Sequence, residues 1–109
     1  MISAGTISEI VGVYEKHGWL LRRVLLSSRL KAELAAAGED IFRDVGIADS
    51  DIDAAWFSRP PSDGGVPWEI RHLSDSPYSL LENIDENDAG FEDALKAVED
   101  RLRKNLGSR

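Results

Sequence analysis

The sequence lacks cysteine altogether. This absence excludes a disulfide framework, a thiolate nucleophile and a cysteine-ligated zinc site. Histidine is almost as scarce, because His17 and His72 are the only two, and they do not form the close pair that would place two imidazoles on one helix face. We therefore expect no metal site and no cofactor, and the composition is compatible with a reducing cytoplasm.

Long apolar runs are also missing. No stretch approaches the roughly 20 apolar residues that a transmembrane helix requires. Residues 1–6 lack the basic region and the apolar core of a secretory signal. We therefore expect a soluble, cytoplasmic protein with no membrane partner.

The sequence has fewer basic residues than acidic ones. The 13 Lys and Arg residues stand against 20 Asp and Glu residues, which leaves a formal net charge of −7 at pH 7. This balance opposes attraction to phosphate backbones, whose binding depends on Lys and Arg. We expect no nucleic-acid partner, whereas basic proteins or peptides remain compatible partners.

The common catalytic and phosphate-binding motifs are absent from the sequence. It contains no Gly-x-Ser-x-Gly nucleophile turn, no Gly-x-x-x-x-Gly-Lys loop and no Gly-x-Gly-x-x-Gly fingerprint. Residues 49–53 carry alternating carboxylates like the start of a calcium loop, but Ala54 stands where that loop needs Gly, and Pro60 where it needs Glu. These acids are interpreted as turn and capping residues, as are those of residues 85–90.

Three helices are predicted from caps and apolar spacing. The first covers about residues 7–17, with Thr6 and Glu9 as a capping box and Gly18 at its end. A short second helix follows Ser27 or Ser28 and stops at Gly38. The last follows Asp88, and its apolar stripe consists of Phe91, Leu95, Val98, Leu102 and Leu106.

Residues 19–26 and 52–73 have the composition of strands. The first run places Arg22 and Arg23 on opposite faces of its strand. The second is a hairpin around the turn-rich residues 59–65. Its favoured register pairs Ser58 with Val66, Trp56 with Trp68, Ala54 with Ile70, Asp53 with Arg71 and Ile52 with His72.

Residues 78–84 fit a helix that starts at Ser76-Pro77 or a strand, and we favour a fourth strand. No element is assigned to residues 39–50. The fold class is therefore α+β, a single domain over residues 1–109. An antiparallel sheet of three to four strands is packed by N-terminal and C-terminal helices, largely on one face, in the approximate order α-β-(α)-β-β-(β)-α.

The hairpin also suggests a contact surface for a protein partner. Trp56 and Trp68 share one face, either as core under a helix or as an anchor for a partner, and Phe57 and Pro67 share the other. Arg59, Pro60 and Pro61 lie at the tip. The sequence does not identify a function. We expect a non-catalytic protein-binding or accessory domain that contacts another protein or another copy of itself, and the expected contact residues are Phe57, Arg59, Pro60, Pro61 and Pro67.

The alternative is a small enzyme. In that interpretation His72 acts as general acid or base, because imidazole titrates near neutral pH, with Arg71 and Glu69 nearby. A histidine at a strand end more commonly satisfies a local hydrogen bond. No catalytic residue is therefore assigned.

Overall fold

The computed structural model describes residues 2–38, 41–42, 45–62 and 65–107. The elements in chain order are α1 (Ala4–Lys16), β1 (Leu20–Leu26), α2 (Ser28–Ala36), β2 (Gly46–Asp49), β3 (Ala54–Ser58), β4 (Pro67–His72), β5 (Ser79–Asn83) and α3 (Phe91–Gly107). Within these ranges no helix combines the length and the apolar character needed to span a bilayer.

The strands form one five-stranded mixed sheet in the order β2-β1-β3-β4-β5. β1 and β2 are parallel, and the other neighbours are antiparallel. The α+β class is confirmed, whereas the expected antiparallel sheet of three to four strands is wrong in strand number and in one pairing. The extra strand is β2, which α2 connects to β1, because parallel neighbours require a crossover rather than a tight turn.

Helices cover both faces of the sheet, which corrects the expectation that they pack largely on one. α1 and α2 pack on the face that carries Val24 and Phe57, and α3 packs on the face that carries Trp56 and Trp68. All five residues of β3 are buried. Because β3 is apolar on both sides, it requires cover on both sides, and both tryptophans belong to the core.

The β3–β4 hairpin forms with a register two residues away from the expected one. Trp56 lies opposite Ile70, and Ser58 lies opposite Trp68. An even shift keeps every side chain on its expected face, so the two indoles still meet diagonally, edge to face, with centroids 6.1 Å apart. Asp63 and Gly64 of the tip lie outside the described residues.

Asp53 shows why the expected Asp53–Arg71 pair is wrong. Its carboxylate accepts hydrogen bonds from the Ser27 backbone N–H at 2.6 Å and from the Ser27 hydroxyl at 3.1 Å. The same Ser27 hydroxyl accepts from the Leu30 N–H at 3.3 Å and so caps α2. Arg71 lies opposite Ala55 instead. The acid therefore connects the hairpin to α2 rather than pairing its two strands.

A β-bulge in β1 changes the orientation of one arginine. The pairing with β3 shifts between Leu21 and Arg23, so Arg22 is the extra residue. Arg22 lies over the Trp68 ring at 4.8 Å, and Arg23 donates to Glu92 of α3 at 2.8 Å. Both arginines thus reach the α3 side, and the expectation of opposite faces is wrong.

Most of the predicted elements have the expected type. β5 confirms the favoured strand in residues 78–84, and α3 begins three residues after Asp88, whose carboxylate accepts from the Gly90 N–H at 2.9 Å. α2 is capped by Ser27, and Gly38 has a positive φ, as expected. α1 begins earlier than expected, because its N-cap is Ser3 rather than Thr6.

Replacing Leu102 with Ala tests whether α3 is required for the fold. Leu102 is fully buried, so we expect Leu102→Ala to lower the free energy of unfolding by about 2–5 kcal/mol. Leu20→Ala is the control, because Leu20 is 60% exposed and its truncation should cost within about 0.5 kcal/mol. Denaturant unfolding measures both, and equal midpoints would contradict a core role for α3.

Candidate functional site

The helices leave part of the α1 side of the sheet uncovered. α1 packs against β1 and reaches β3, where the Tyr14 ring stacks on Phe57 with centroids 4.0 Å apart. Beyond this contact, β4 and β5 present Glu69, Arg71, Ser79 and Leu81. We call these four residues, together with Val13 and Tyr14 of α1, the open face.

A hydrogen bond lies at the centre of the open face. The Tyr14 hydroxyl of α1 donates to Oε2 of Glu69 on β4. Burial of the ring raises the pKa of Tyr14, and the hydrogen bond to Glu69 and the negative charge of Glu69 raise it further. The positive charge of Arg71 acts in the opposite direction. Tyr14 therefore remains a neutral hydroxyl donor at physiological pH.

Apolar side chains flank this polar centre. Val13 is 55% exposed on α1, and Leu81 is 59% exposed on β5. Two shallow grooves, of about 270 and about 230 Å³, run along α1 on either side of Tyr14. Arg71 lines one groove, and Glu69 and Trp19 line the other. The open face thus combines apolar borders with a neutral hydroxyl and one charge of each sign.

The residues predicted to contact a partner do not form a single surface. Phe57 is fully buried under Tyr14, so its expected contact role is wrong and its role is packing. Pro67 is half-buried at the start of β4, opposite Asn83. Pro60 and Pro61 are exposed.

Arg59 lies beside an aromatic residue that borders the open face. Its guanidinium lies 5.5 Å from the centre of the Trp19 ring, in a cation–π contact. Trp19 in turn packs edge to face on Tyr14 with centroids 6.0 Å apart and lines the groove beside Glu69. The exposed hairpin tip therefore adjoins one end of this groove.

The His72 side chain lies on the other face of the sheet from the side chains of Glu69 and Arg71, which were expected near it. Alternation along β4 places His72 on the α3 side, whereas Glu69 and Arg71 lie on the α1 side. His72 lines a shallow polar cavity of about 550 Å³ with Asp53 and Tyr78. The expected proximity of Glu69 to His72 is thus wrong, because the two side chains leave the strand on opposite faces.

The acidic segments have structural contacts. Asp51 binds Arg103 at 2.9 Å, Asp53 binds Ser27, and Asp85 accepts from the Asn87 N–H at 2.9 Å. The turn interpretation is confirmed for Asp85 and Asp88, whereas Asp53 makes a long-range contact with Ser27. Within the described ranges, no group of three or more His, Asp or Glu side chains is placed to hold a metal ion.

Comparison with protein-family models, with curated protein sequences and with solved structures gives no match. These comparisons therefore assign no activity, ligand or partner to this chain.

Sequence reasoning missed most of the open face. The spacing of Tyr14 after Ile7, Ile10 and Val11 indicates only an apolar stripe on the first helix, and no pattern gives Leu81 a role. One signal was present, because Leu80 and Leu81 are adjacent and alternation sends one of two neighbouring strand residues to each face. With Leu80 packed under α3, Leu81 has to project from the other side.

Tyr14→Phe tests the central hydrogen bond through its pH dependence. The folded-state pKa of Tyr14 lies above the unfolded value of about 10, so its stabilising contribution is complete below about pH 10 and is lost as the pH rises further. We expect the stability of the unmodified protein to fall more steeply above about pH 10 than that of Tyr14→Phe. Denaturant unfolding at each pH measures the difference, and parallel curves would contradict the assignment.

Proposed function

We propose that this chain is a non-catalytic protein-binding domain and that the open face is its contact surface. The observation that carries the proposal is the exposure of Val13 and Leu81 around the Tyr14–Glu69 hydrogen bond. Protein interfaces commonly combine apolar and aromatic side chains with a few oriented polar groups, and the open face offers both kinds of group.

The surroundings of the open face favour binding over chemistry. The carboxylate of Glu69 is occupied by the Tyr14 hydroxyl, and a guanidinium nitrogen of Arg71 donates to the backbone carbonyl of His72. A general acid or base needs to reach a substrate proton. These hydrogen bonds instead hold the polar groups of the open face in fixed positions, which suits a preorganised contact surface.

The hairpin tip extends this surface. Arg59 offers a planar, forked donor that suits a carboxylate on a partner, and Pro60 and Pro61 restrict the backbone next to it. The stack of Arg59 on Trp19 adjoins the groove beside Tyr14. We therefore include Arg59, Pro60 and Pro61 at the margin of the proposed contact surface and leave Phe57 out.

Site-specific photo-cross-linking tests the proposal. A benzoylphenylalanine at position 81, introduced into the protein in its native cells, should give a discrete protein adduct. The same group at position 20 is the matched control, because Leu20 has the same exposure and lies outside the open face. We expect Val13→Glu, combined with the group at position 81, to reduce the adduct severalfold, because it places a charge at the apolar border.

A second variant separates binding from catalysis. His72→Gln should leave the adduct at position 81 unchanged, because His72 lies on the other side of the sheet. Equal labelling at positions 20 and 81, or an adduct insensitive to Val13→Glu, would overturn the proposed surface. A turnover found by substrate screening and lost in well-folded His72→Gln protein would replace it with the alternative, a small enzyme that uses His72 as general acid or base.

A further inference from the structure

β5 is an edge strand whose outer side has no neighbouring strand in the described part of the chain. Its pairing with β4 is bounded by hydrogen bonds from the His72 N–H to the Tyr78 carbonyl and from the Ile84 N–H to the Val66 carbonyl. Because antiparallel strands alternate, residues 78, 80, 82 and 84 direct their backbone groups towards β4. The N–H and C=O groups of Ser79, Leu81 and Asn83 therefore point outwards.

We propose that two copies of this chain associate by antiparallel pairing of β5 with β5, about a two-fold axis at Leu81. The inference rests on the proposed function, because it names the partner of the open face as a second copy. In this register Leu81 lies opposite Leu81 of the second copy, and Ser79 lies opposite its Asn83. The outward groups then form roughly six backbone hydrogen bonds.

The outer edge of β5 is self-complementary. Ser79, Leu81 and Asn83 read polar, apolar, polar around a central leucine, so an antiparallel copy places apolar against apolar and polar against polar. Leu81 is 59% exposed in the single chain and would be covered by its own symmetry mate. A two-fold interface requires this kind of self-complementary surface.

β5 has only one of the features that normally protect an edge strand, the inward-pointing charge of Glu82. Such strands are commonly kept apart by proline, lysine, a bulge or an inward-pointing charge. Ser79–Asn83 contains no proline and no lysine, and its register with β4 has no irregularity. Its one charged residue, Glu82, points to the α3 side, where it forms an ion pair with Arg101 at 3.6 Å.

The opposite edge of the sheet is less suited to pairing. β2 has only four residues and begins with a glycine, which weakens a strand interior. It ends at Asp49, which forms an ion pair with Lys31 of α2 at 3.2 Å. β5 is therefore the longer of the two edge strands, and it borders the open face.

Single cysteines provide a sharp test, because the natural chain contains none. In the proposed register the Cα atoms of the two residues 81 lie about 5.5 Å apart, which suits a disulfide. Residue 83 of one copy lies about 13 Å from residue 83 of the other. We expect Leu81→Cys to form a disulfide-linked dimer on mild oxidation, whereas Asn83→Cys and Leu20→Cys should remain mostly without a covalent link.

Sedimentation measures the association without a covalent link. We expect the unmodified chain to sediment as a dimer at micromolar concentration. Leu81→Arg should raise the dissociation constant by at least about tenfold, because it places like charges on the symmetry axis, whereas Leu20→Arg should leave it unchanged. Each variant is first checked for a native-like unfolding transition.

The outcomes separate this inference from the proposed function. A monomeric chain, or equal oxidation of the three cysteine variants, overturns the β5 dimer. If a monomeric chain still cross-links another protein from position 81, the proposed function stands and only the self-association fails. If there is neither a dimer nor an adduct at position 81, both fail.

Discussion

The complete burial of β3 is the constraint on which the rest of the fold depends. A strand that buries Trp56 on one side and Phe57 on the other requires a packed layer on each face of the sheet. α1 and α2 supply one layer, and α3 supplies the other. β3 therefore lies in the middle of the sheet, which leaves only outer strands to present surface to a partner.

The sequence predicted element types better than their relations in space. Caps and apolar spacing were sufficient for α2, α3 and β5, because those signals lie within one element. The β3–β4 register was off by two residues, since binary patterning fixes the face and not the offset, and Asp53 is held by Ser27 rather than by Arg71. β2 was missed because its four exposed residues have no apolar alternation.

The candidate site was less predictable, because it depends on which part of the sheet the helices leave uncovered. The sequence places Glu69 and Arg71 on one face of β4, but nothing in it states that Tyr14 of α1 reaches that face. Phe57 was expected at the contact surface because it is aromatic, but it is buried in the core. Arg59 remained at the margin because it follows β3 directly and stacks on Trp19.

The open face follows from the different positions of the helices on the two sides of the sheet. Five strands span about 19 Å between the outermost axes, and one helix covers about 10 Å. α3 packs on β4 and β5, so no helix lies over β1 on the α3 side. There Arg22 forms an ion pair with Glu86, and Arg23 forms one with Glu92. On the other side α1 and α2 pack on β1, so the uncovered part lies at β5. No comparable bridge crosses Leu81 within the described part of the chain, so Leu81 stays 59% exposed beside the Tyr14–Glu69 hydrogen bond.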